Sequence, residues 1–194
     1  MKNENINLKK RIIELELELK LQIKNGIESR KLANFDFLTN IANRGSFTRS
    51  LKDMLEDLKE KEYPFTMIYI DLDNFKLVND TYSHKEGDNV LRAVSNLLIL
   101  ENRAHTLIGR LGGEEFGVAI PGGGVKEGLI VAERIRLAIE GLSLEGIEVS
   151  VTASIGVYEP TDKDSIEDTI TKADNAMYIS KTTGKNKVTL YNED

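Results

Sequence analysis

A short turn rich in glycine and glutamate constrains the fold of this chain more than any other feature. The apolar runs Thr106–Leu111 and Phe116–Ile120 flank the sequence Gly-Gly-Glu-Glu at 112–115, a pattern typical of a β-hairpin. A hairpin joins antiparallel strands, so it excludes a sheet made only of parallel strands in a strict β-α-β repeat. Further strands are predicted at Phe65–Leu72, Glu148–Val157 and near Val188–Tyr191. We therefore expect an α/β (α+β) domain with a mixed, mainly antiparallel central sheet flanked by helices.

The spacing of apolar residues predicts helices between these strands. Ser46 is the expected N-cap of a helix that runs to about Lys61 and ends before Pro64, since proline cannot continue a helix. The stretch 34–45 before this helix is predicted to be irregular. The remaining helices are predicted from Gly87 to about Leu100, from Val125 to Glu140 and from Ser165 to Lys181.

Residues 5–33 are rich in Leu, Ile, Glu and Lys, and they contain no proline and a single glycine, Gly26. Their apolar residues alternate in part, as in an amphipathic strand, but leucine, glutamate and lysine favour a helix. On a helical wheel of about 100° per residue they fall on two opposite sides. One side carries Leu8, Ile12, Leu15, Leu19 and Ile23, and the other carries Ile6, Ile13, Leu17 and Leu21. We expect 1–33 to form a coiled-coil signalling helix that pairs with a second copy, and 34–194 to form the globular domain.

The composition excludes several classes of partner and site. The formal net charge is −6 over 194 residues, and binding a nucleic-acid polymer needs a concentrated basic face, so such a polymer is not an expected partner. The absence of cysteine excludes disulfides, thiolate metal sites and cysteine nucleophiles. No apolar run approaches the roughly 20 residues of a membrane-spanning helix, and the charged N-terminus lacks the apolar part of a signal peptide. We expect no membrane segment and a cytoplasmic location.

Three carboxylates are candidates for a metal site. Asp71 ends an apolar strand, and Glu114 and Glu115 lie in the glycine-flanked turn. Oxygen ligands without cysteine or paired histidine suit Mg²⁺ or Mn²⁺. The alternative is that strand ends and turns are acidic because they are solvated. Gly112 and Gly113 weigh against this alternative, because two residues without side chains let a phosphate approach the backbone.

The segment that follows Asp71 offers groups for a nucleotide. Lys76 supplies a cation, Asn79 an amide and Asp88 a carboxylate, and free backbone N–H groups are expected here. Guanine presents N1–H and N2–H₂ donors that a carboxylate accepts and that adenine does not match. Alternatively, Asn79 caps a turn and Asp88 caps the following helix. His84 in the same segment is by itself more typical of a structural role.

Six stretches of the sequence form an ordered set of motifs. They are Asp36–Thr39 with Asn43-Arg44, Asp71–Asp88, Arg110–Phe116, Val151–Val157, Ala173–Tyr178, and Lys181 with Gly184-Lys185-Asn186. In order and spacing they resemble the motifs of the GGDEF family of diguanylate cyclases, with Arg110–Phe116 as the signature in its GGEEF form. The resemblance covers about residues 32–191. It implies the palm-like fold of nucleotidyl cyclases and the condensation of two GTP into cyclic di-GMP and two pyrophosphates.

The resemblance also implies a role for each matching residue. The ligands of Mg²⁺ (or Mn²⁺) would be Asp71, the Leu72 carbonyl and Glu114. Glu115 would serve as, or help to position, the base for the attacking 3′-hydroxyl. The phosphates would be bound by Lys76, Lys181, Lys185 and the backbone N–H groups of Asn74 and Phe75. The nucleoside would be bound by Asn79, His84 and Asp88, with Asn79 and Asp88 reading guanine.

The sequence departs from the family pattern at four positions. Asn40 and Ser83 stand where the family usually has glycine, and Lys185 replaces an arginine, which could make a bidentate phosphate contact. The inhibitory product site of the family has the sequence Arg-x-x-Asp, and here Arg103 is followed by Thr106 in the aspartate position. We therefore expect a degenerate product site and weak product inhibition.

Two other functions stay open beside that of a diguanylate cyclase. The first is a catalytically silent GGDEF domain that acts as a nucleotide-responsive interaction module. The second is a general nucleotide polymerase or an adenylyl cyclase, which Asp88 disfavours because it suits guanine. The expected partners of a diguanylate cyclase are GTP, cyclic di-GMP, a second copy of the chain bound through the N-terminal helix, and an upstream sensor domain.

Overall fold

The structure, a computed structural model, describes residues 15, 17–22, 31, 33–102, 105–146 and 148–193. The described residues before Phe35 are helical. The remainder of the predicted signalling helix lies outside the described residues, so its coiled coil and its pairing stay predictions.

From residue 42 onward the described part of the chain forms six strands and five helices. The strands are β1 (Ala42–Asn43), β2 (Phe65–Asp73), β3 (Leu107–Arg110), β4 (Glu115–Pro121), β5 (Thr152–Tyr158) and β6 (Lys187–Leu190). The helices are α1 (Arg44–Lys61), α2 (Phe75–Thr81), α3 (His84–Glu101), α4 (Val125–Glu140) and α5 (Ile166–Thr182).

Strand β2 lies in the middle of the sheet, whose strand order is β1-β3-β4-β2-β5-β6. It pairs antiparallel with β4 and with β5, and β3 pairs antiparallel with β4. The outer pairs, β1 with β3 and β5 with β6, are parallel. The mixed, mainly antiparallel sheet and the β3–β4 hairpin that the sequence predicts are therefore confirmed.

Helices cover both faces of the sheet, and the side chains of β2 alternate between the two faces. The even-numbered residues of 68–72 pack in one cluster with α3 and α4. Met67 and Tyr69 pack in a second cluster with α1 and α5. Because Asp71 and Asp73 continue the odd-numbered series, β2 carries both carboxylates on the face that α1 and α5 cover.

Gly156 on β5 lets α5 pack directly on the sheet. A Cβ atom at this position would lie 2.1 Å from the carbonyl oxygen of Ala173 and 2.3 Å from the amide nitrogen of Met177, both on α5. This close approach brings the C-terminal end of α5, which carries Lys181, to the end of β2.

Helix α1 begins earlier than predicted. Asn43, and not Ser46, is its N-cap: the Asn43 side chain accepts a hydrogen bond of 2.9 Å from the backbone N–H of Ser46. Asparagine and serine are equally good caps, so the sequence alone does not separate the two candidates. As a result, the stretch 34–45 that was expected to be irregular already contains β1 and the first two residues of α1.

The segment between β2 and β3 also differs from the prediction. Helix α3 begins at His84 and not at Gly87, because Ser83 caps it by accepting a hydrogen bond of 3.4 Å from the backbone N–H of Glu86. The short helix α2 was not predicted. Asn79 lies inside α2 and Asp88 inside α3, so the alternative that these two residues cap a turn and a helix is wrong.

The second half of the domain follows the prediction more closely. Helix α4 spans the predicted residues, and Ser165 caps α5 in a capping box with Asp168. Strand β5, however, begins at Thr152 and not at Glu148. Its first residue pairs with Asp73, the last residue of β2, so the preceding residues have no neighbouring strand to continue the ladder.

Candidate active site

The end of β2 carries a buried carboxylate, that of Asp71, whose side chain is 7% exposed. The Nζ atom of Lys181 on α5 donates to both carboxylate oxygens, at 2.8 Å each. Burial raises the pKa of Asp71, Lys181 opposes the rise, and the charges of Glu114 and Glu115 add to it. Burial disfavours the charged form of Lys181 as well, but Asp71 outweighs burial and raises the pKa of Lys181. The buried carboxylate is therefore matched by a cation.

The register of the hairpin places both glutamates of the turn beside Asp71. Asp71 is paired with Glu115 in the ladder between β2 and β4. The backbone N–H of Leu72 donates to the carbonyl of Glu114 at 3.3 Å, and that of Leu111 donates to the carbonyl of Glu115 at 2.9 Å. The first hydrogen bond holds the turn against the end of β2, and the second closes the turn within the hairpin. The structure thus brings together the three predicted carboxylates and Leu72.

The two glycines of the turn have different surroundings. A Cβ atom at Gly112 would lie 2.4 Å from Oε2 of Glu115, so the carboxylate of Glu115 folds over Gly112. A Cβ atom at Gly113 would meet no protein atom within 4 Å, and this residue is exposed. Gly112 therefore makes room for a side chain of the site, whereas Gly113 leaves the backbone of the turn open to another molecule.

Arg110 links the turn at 112–115 to the turn at 36–39 by hydrogen bonds and an ion pair. Its guanidinium group donates to the carbonyl of Gly112 at 3.2 Å and to the carbonyl of Gly113 at 2.8 Å. The same group lies 3.1 Å from Oδ1 of Asp36, and both side chains of this ion pair are largely buried. Burial alone would raise the pKa of Asp36, but hydrogen bonds from Thr39 and Arg110 lower it. The turn at 36–39 and the turn at 112–115 are thus held together.

Two residues to which the family resemblance gives a role in phosphate binding, Asn74 and Lys185, meet at the end of β2. Asn74 follows β2 with a φ of 58°, and Lys185 follows α5 with a φ of 60°. The Nζ atom of Lys185 donates to Oδ1 of Asn74 at 2.8 Å. Phe75 is buried and Lys76 is exposed on α2. Phe75 can therefore offer a ligand only its backbone, whereas Lys76 is free to extend its side chain into solvent.

The residues assigned to the nucleoside gather where α2 meets α3. A Cβ atom at Gly87 would lie 2.0 Å from Oδ1 of Asn79, so the Asn79 amide rests on the backbone of α3, one residue before Asp88. His84 is the first residue of α3 and is exposed. The structure therefore places Asn79 against the turn of α3 that carries Asp88. Arg103, the one retained residue of the expected product site, lies outside the described residues.

Asp73 belongs to the candidate site, although the sequence patterns did not predict a role for it. Its carboxylate is 1% exposed and accepts hydrogen bonds from the hydroxyl groups of Thr152 and Ser154, at 2.8 and 2.7 Å. It also accepts one from the backbone N–H of Asn186 at 3.0 Å. Asp73 therefore anchors the loop that carries Lys185 to the end of β2. Its position two residues after Asp71 on one strand was a signal that could have identified it.

An acid-bearing hairpin beside the end of a central antiparallel strand, with helices on both faces of the sheet, defines the class of palm-like nucleotidyl cyclase domains. The family model for "Diguanylate cyclase, GGDEF domain" matches residues 33–187. The chain therefore belongs to the GGDEF family.

Curated relatives agree with this family. The chain is 35% identical over 181 residues to the probable diguanylate cyclase DgcE of Escherichia coli, an alignment that covers 88% of this chain and 16% of DgcE. It is 36% identical over 165 residues to the probable diguanylate cyclase DgcT of the same organism, covering 82% of this chain and 36% of DgcT. The chain thus spans well under half the length of these two relatives.

Solved structures show the same fold. The coiled coil and GGDEF domain of DgcB from Caulobacter crescentus, crystallised with c-di-GMP, superposes with a TM-score of 0.88 at 28% identity and covers 94% of this chain and 98% of that one. The active GGEEF domain of a diguanylate cyclase from Vibrio cholerae gives a TM-score of 0.75 at 29% identity, with 78% and 98% covered. In the part of the chain that the structure describes, no helix is both long and apolar enough to cross a membrane.

Proposed function

We propose that the protein is a diguanylate cyclase that condenses two GTP molecules into cyclic di-GMP and releases two pyrophosphates. The observation that carries this proposal is the hairpin register, which sets Glu114 and Glu115 beside Asp71 while Gly113 stays open to a ligand. Two relatives are named probable diguanylate cyclases, and the DgcB structure was determined with c-di-GMP, which supports the same assignment.

The oxygen donors at the end of β2 fit a hard divalent cation, Mg²⁺ or Mn²⁺. Asp71, the Leu72 carbonyl and Glu114 would hold the cation, and the ammonium of Lys181 on Asp71 marks a place where positive charge is already favoured. Among the described residues no group of three or more acidic or histidine side chains forms a metal site by itself. The ligand set of the cation would therefore depend on the Leu72 carbonyl and on phosphate oxygens as well as on the carboxylates. When bound, the cation would neutralise charge on the phosphates.

The remaining residues would bind and orient the nucleotide. Lys181 would exchange Asp71 for the phosphates, and Lys76, Lys185 and the N–H groups of Asn74 and Phe75 would contact the same phosphates. Positive groups held at this point stabilise the negative charge that grows in the transition state of phosphoryl transfer. Asn79 and Asp88 would read guanine by accepting its N1–H and N2–H₂ donors, and His84 would line the nucleoside pocket.

Glu115 would take the proton of the attacking 3′-hydroxyl or position the group that takes it. Its carboxylate lies over Gly112, next to the exposed Gly113, and from there it would face a second nucleotide that approaches the turn. The 3′-oxygen of one GTP forms a bond to the α-phosphorus of the other, and the bond to pyrophosphate breaks. The 3′-oxygen of the second GTP then forms a bond to the α-phosphorus of the first, which releases the second pyrophosphate and closes the ring.

The reaction would need a two-fold dimer, because each domain holds one GTP and the two nucleotides must face each other. The N-terminal helix would supply the pairing. Of its apolar residues, Leu15, Leu17, Leu19 and Leu21 are described and are 47–70% exposed in the single chain. An upstream sensor domain would act through this helix, and the use of GTP would place the domain in the cytoplasm. Product inhibition would be weak, because Thr106 offers no carboxylate to guanine.

The alternative is a catalytically silent domain, and one observation favours it: Lys181 already neutralises Asp71. The test is incubation of the protein with GTP and Mg²⁺, followed by chromatography and mass spectrometry of the product. We expect cyclic di-GMP from the wild type and a loss of at least about 100-fold in Glu115→Gln. Glu60→Gln, an exposed glutamate on α1, is the matched control and should keep full activity. A wild type that binds GTP but forms no product would establish the silent domain.

A further inference from the structure

The loop between α5 and β6 has an unusual backbone. Gly184, Lys185 and Asn186 follow one another with φ values of 123°, 60° and 44°. Glycine adopts positive φ without cost and asparagine tolerates it, but the side chain of Lys185 disfavours it. Such a conformation persists only where the surrounding structure determines it. The contacts of this loop must therefore hold Lys185 in place.

Asn186 makes these contacts through its backbone N–H and through both polar atoms of its side-chain amide. Its backbone N–H donates to Oδ2 of Asp73 at 3.0 Å. Its Nδ2 donates to Oε1 of Glu140 at 2.7 Å, and its Oδ1 accepts from a guanidinium nitrogen of Arg136 at 2.7 Å. Asn186 is thus fixed between the end of β2 and the outer helix α4.

Arg136 is the centre of the α4 side of this arrangement. Its side chain is 11% exposed, although it lies on a helix at the surface. The guanidinium group donates to Oε1 of Glu133 at 2.8 and 2.9 Å and to Oε2 of Glu140 at 2.8 Å, in addition to Asn186. Because the planar guanidinium is held by two carboxylates, its orientation toward Asn186 is fixed.

We propose that Arg136 is a positioning residue for nucleotide binding: through Asn186 it holds Lys185 in the backbone conformation that directs the Lys185 ammonium to the phosphates. The inference rests on the proposed function and adds to it a residue on α4, outside all six sequence motifs. Arg136 touches no substrate. Its effect reaches the ligand only through the loop and is therefore absent when Lys185 cannot contact phosphate.

The test measures the affinity for a GTP analogue that has a methylene group between the α- and β-phosphorus atoms and cannot react. Calorimetry with Mg²⁺ compares the wild type with Arg136→Met, Lys185→Met and the double variant. We expect each single variant to bind about tenfold more weakly, the loss that corresponds to one charge-assisted hydrogen bond. We expect the double variant to bind no more weakly than Lys185→Met, because the two residues act through one contact.

Two controls separate this effect from a general loss of structure. Arg134→Met makes the same change two residues earlier on α4, where the arginine pairs with Glu101 at 3.2 Å, and it should leave the affinity unchanged. Asn186→Ala removes the same link without changing α4, and it should match Arg136→Met in affinity even if Arg136→Met melts at a lower temperature.

Additive losses in the double variant, or an unchanged affinity in Asn186→Ala, would overturn the positioning role while the proposed function stands. If the wild type does not bind the analogue, the proposed function fails and the inference fails with it. In steady-state assays of an active wild type, Arg136→Met should raise KM for GTP, and its loss of kcat should not exceed that of Lys185→Met, because Arg136 acts only through Lys185.

Discussion

The ammonium group of Lys181 lies 2.8 Å from each carboxylate oxygen of Asp71. In the proposed function, Asp71 binds a divalent cation and Lys181 binds the phosphates. Because the Lys181 ammonium contacts both oxygens of Asp71, it competes with a metal for this carboxylate. When a nucleotide arrives with its metal, both groups would gain new partners at once.

This contact predicts opposite effects of Lys181→Met on two ligands. Mn²⁺ alone should bind more tightly, because Asp71 loses its competing cation, and the GTP analogue should bind more weakly, because the phosphates lose a contact. Paramagnetic resonance of free Mn²⁺ and calorimetry measure the two affinities. Lys126→Met, an exposed lysine at the start of α4, is the control. Changes of the same sign for both ligands would show that Lys181 and the metal do not compete.

Selectivity for guanine should depend on Asp88. We expect the wild type to consume GTP and not ATP, and Asp88→Asn to raise KM for GTP by about tenfold or more, because the amide offers a donor in place of an acceptor. Asp80→Asn, an exposed carboxylate on α2, should behave as the wild type. Initial rates of pyrophosphate release with each nucleotide provide the measurement. Equal turnover of ATP and GTP by the wild type would contradict the assignment.

Asp164 should make the domain sensitive to acid. Burial would raise the pKa of this carboxyl, but hydrogen bonds from Lys172, Thr161 and Tyr158 lower it to about 2. A carboxyl with a lowered pKa stabilises the fold above its unfolded pKa of 3.8, and the gain is lost as pH falls toward 2. The shift corresponds to about 2 kcal/mol.

Urea unfolding between pH 7 and pH 2 tests this effect. Asp164→Asn should be less stable than the wild type at pH 7 and should lose less stability between pH 4 and pH 2. Asp162→Asn, an exposed neighbour, should keep the slope of the wild type. The same acid slope in Asp164→Asn and in the wild type would exclude Asp164 as its source.

Ser83→Gly should stabilise the domain. Ser83 has a φ of 147°, a conformation that costs a residue with a side chain on the order of 1 kcal/mol or more, while glycine is a helix cap only a few tenths of a kcal/mol worse than serine. We expect a rise in Tm of roughly 2–4 °C for a gain of about 1 kcal/mol. Asn40→Gly is the comparison, because asparagine tolerates its φ of 56° and little should change. A lower Tm in Ser83→Gly would show that the cap outweighs the strain.

The sequence predicts the features of the site that are local in the chain. The glycine turn at 112–115 predicts the hairpin, and an apolar run ending in Asp71 predicts the strand that lies beside it. It also identifies both departures at glycine positions, and the positive φ values of Asn40 and Ser83 explain why glycine is usual there.

Contacts between distant parts of the chain could not be predicted in this way. Lys181 reaches Asp71 across 110 positions, and that contact depends on the packing of α5 against β5. The hydrogen bond from Arg136 to Asn186 joins two residues whose polar types predict exposure to solvent, and only the tertiary fold brings them together. Even the cap of α1 required the backbone conformation, because Asn43 and Ser46 are equally suitable by type.

The missing side chain of Gly156 has a consequence for the evolution of this domain. Because the atoms that face it belong to the backbone of α5, no neighbouring side chain can be shortened to make room for even one methyl group. A substitution there would lift the helix and separate Lys181 from Asp71 although neither residue is altered. The proposed activity would therefore be lost in descendants of this chain through a single nucleotide change in the Gly156 codon, and an intact set of candidate active-site residues would not disclose that loss.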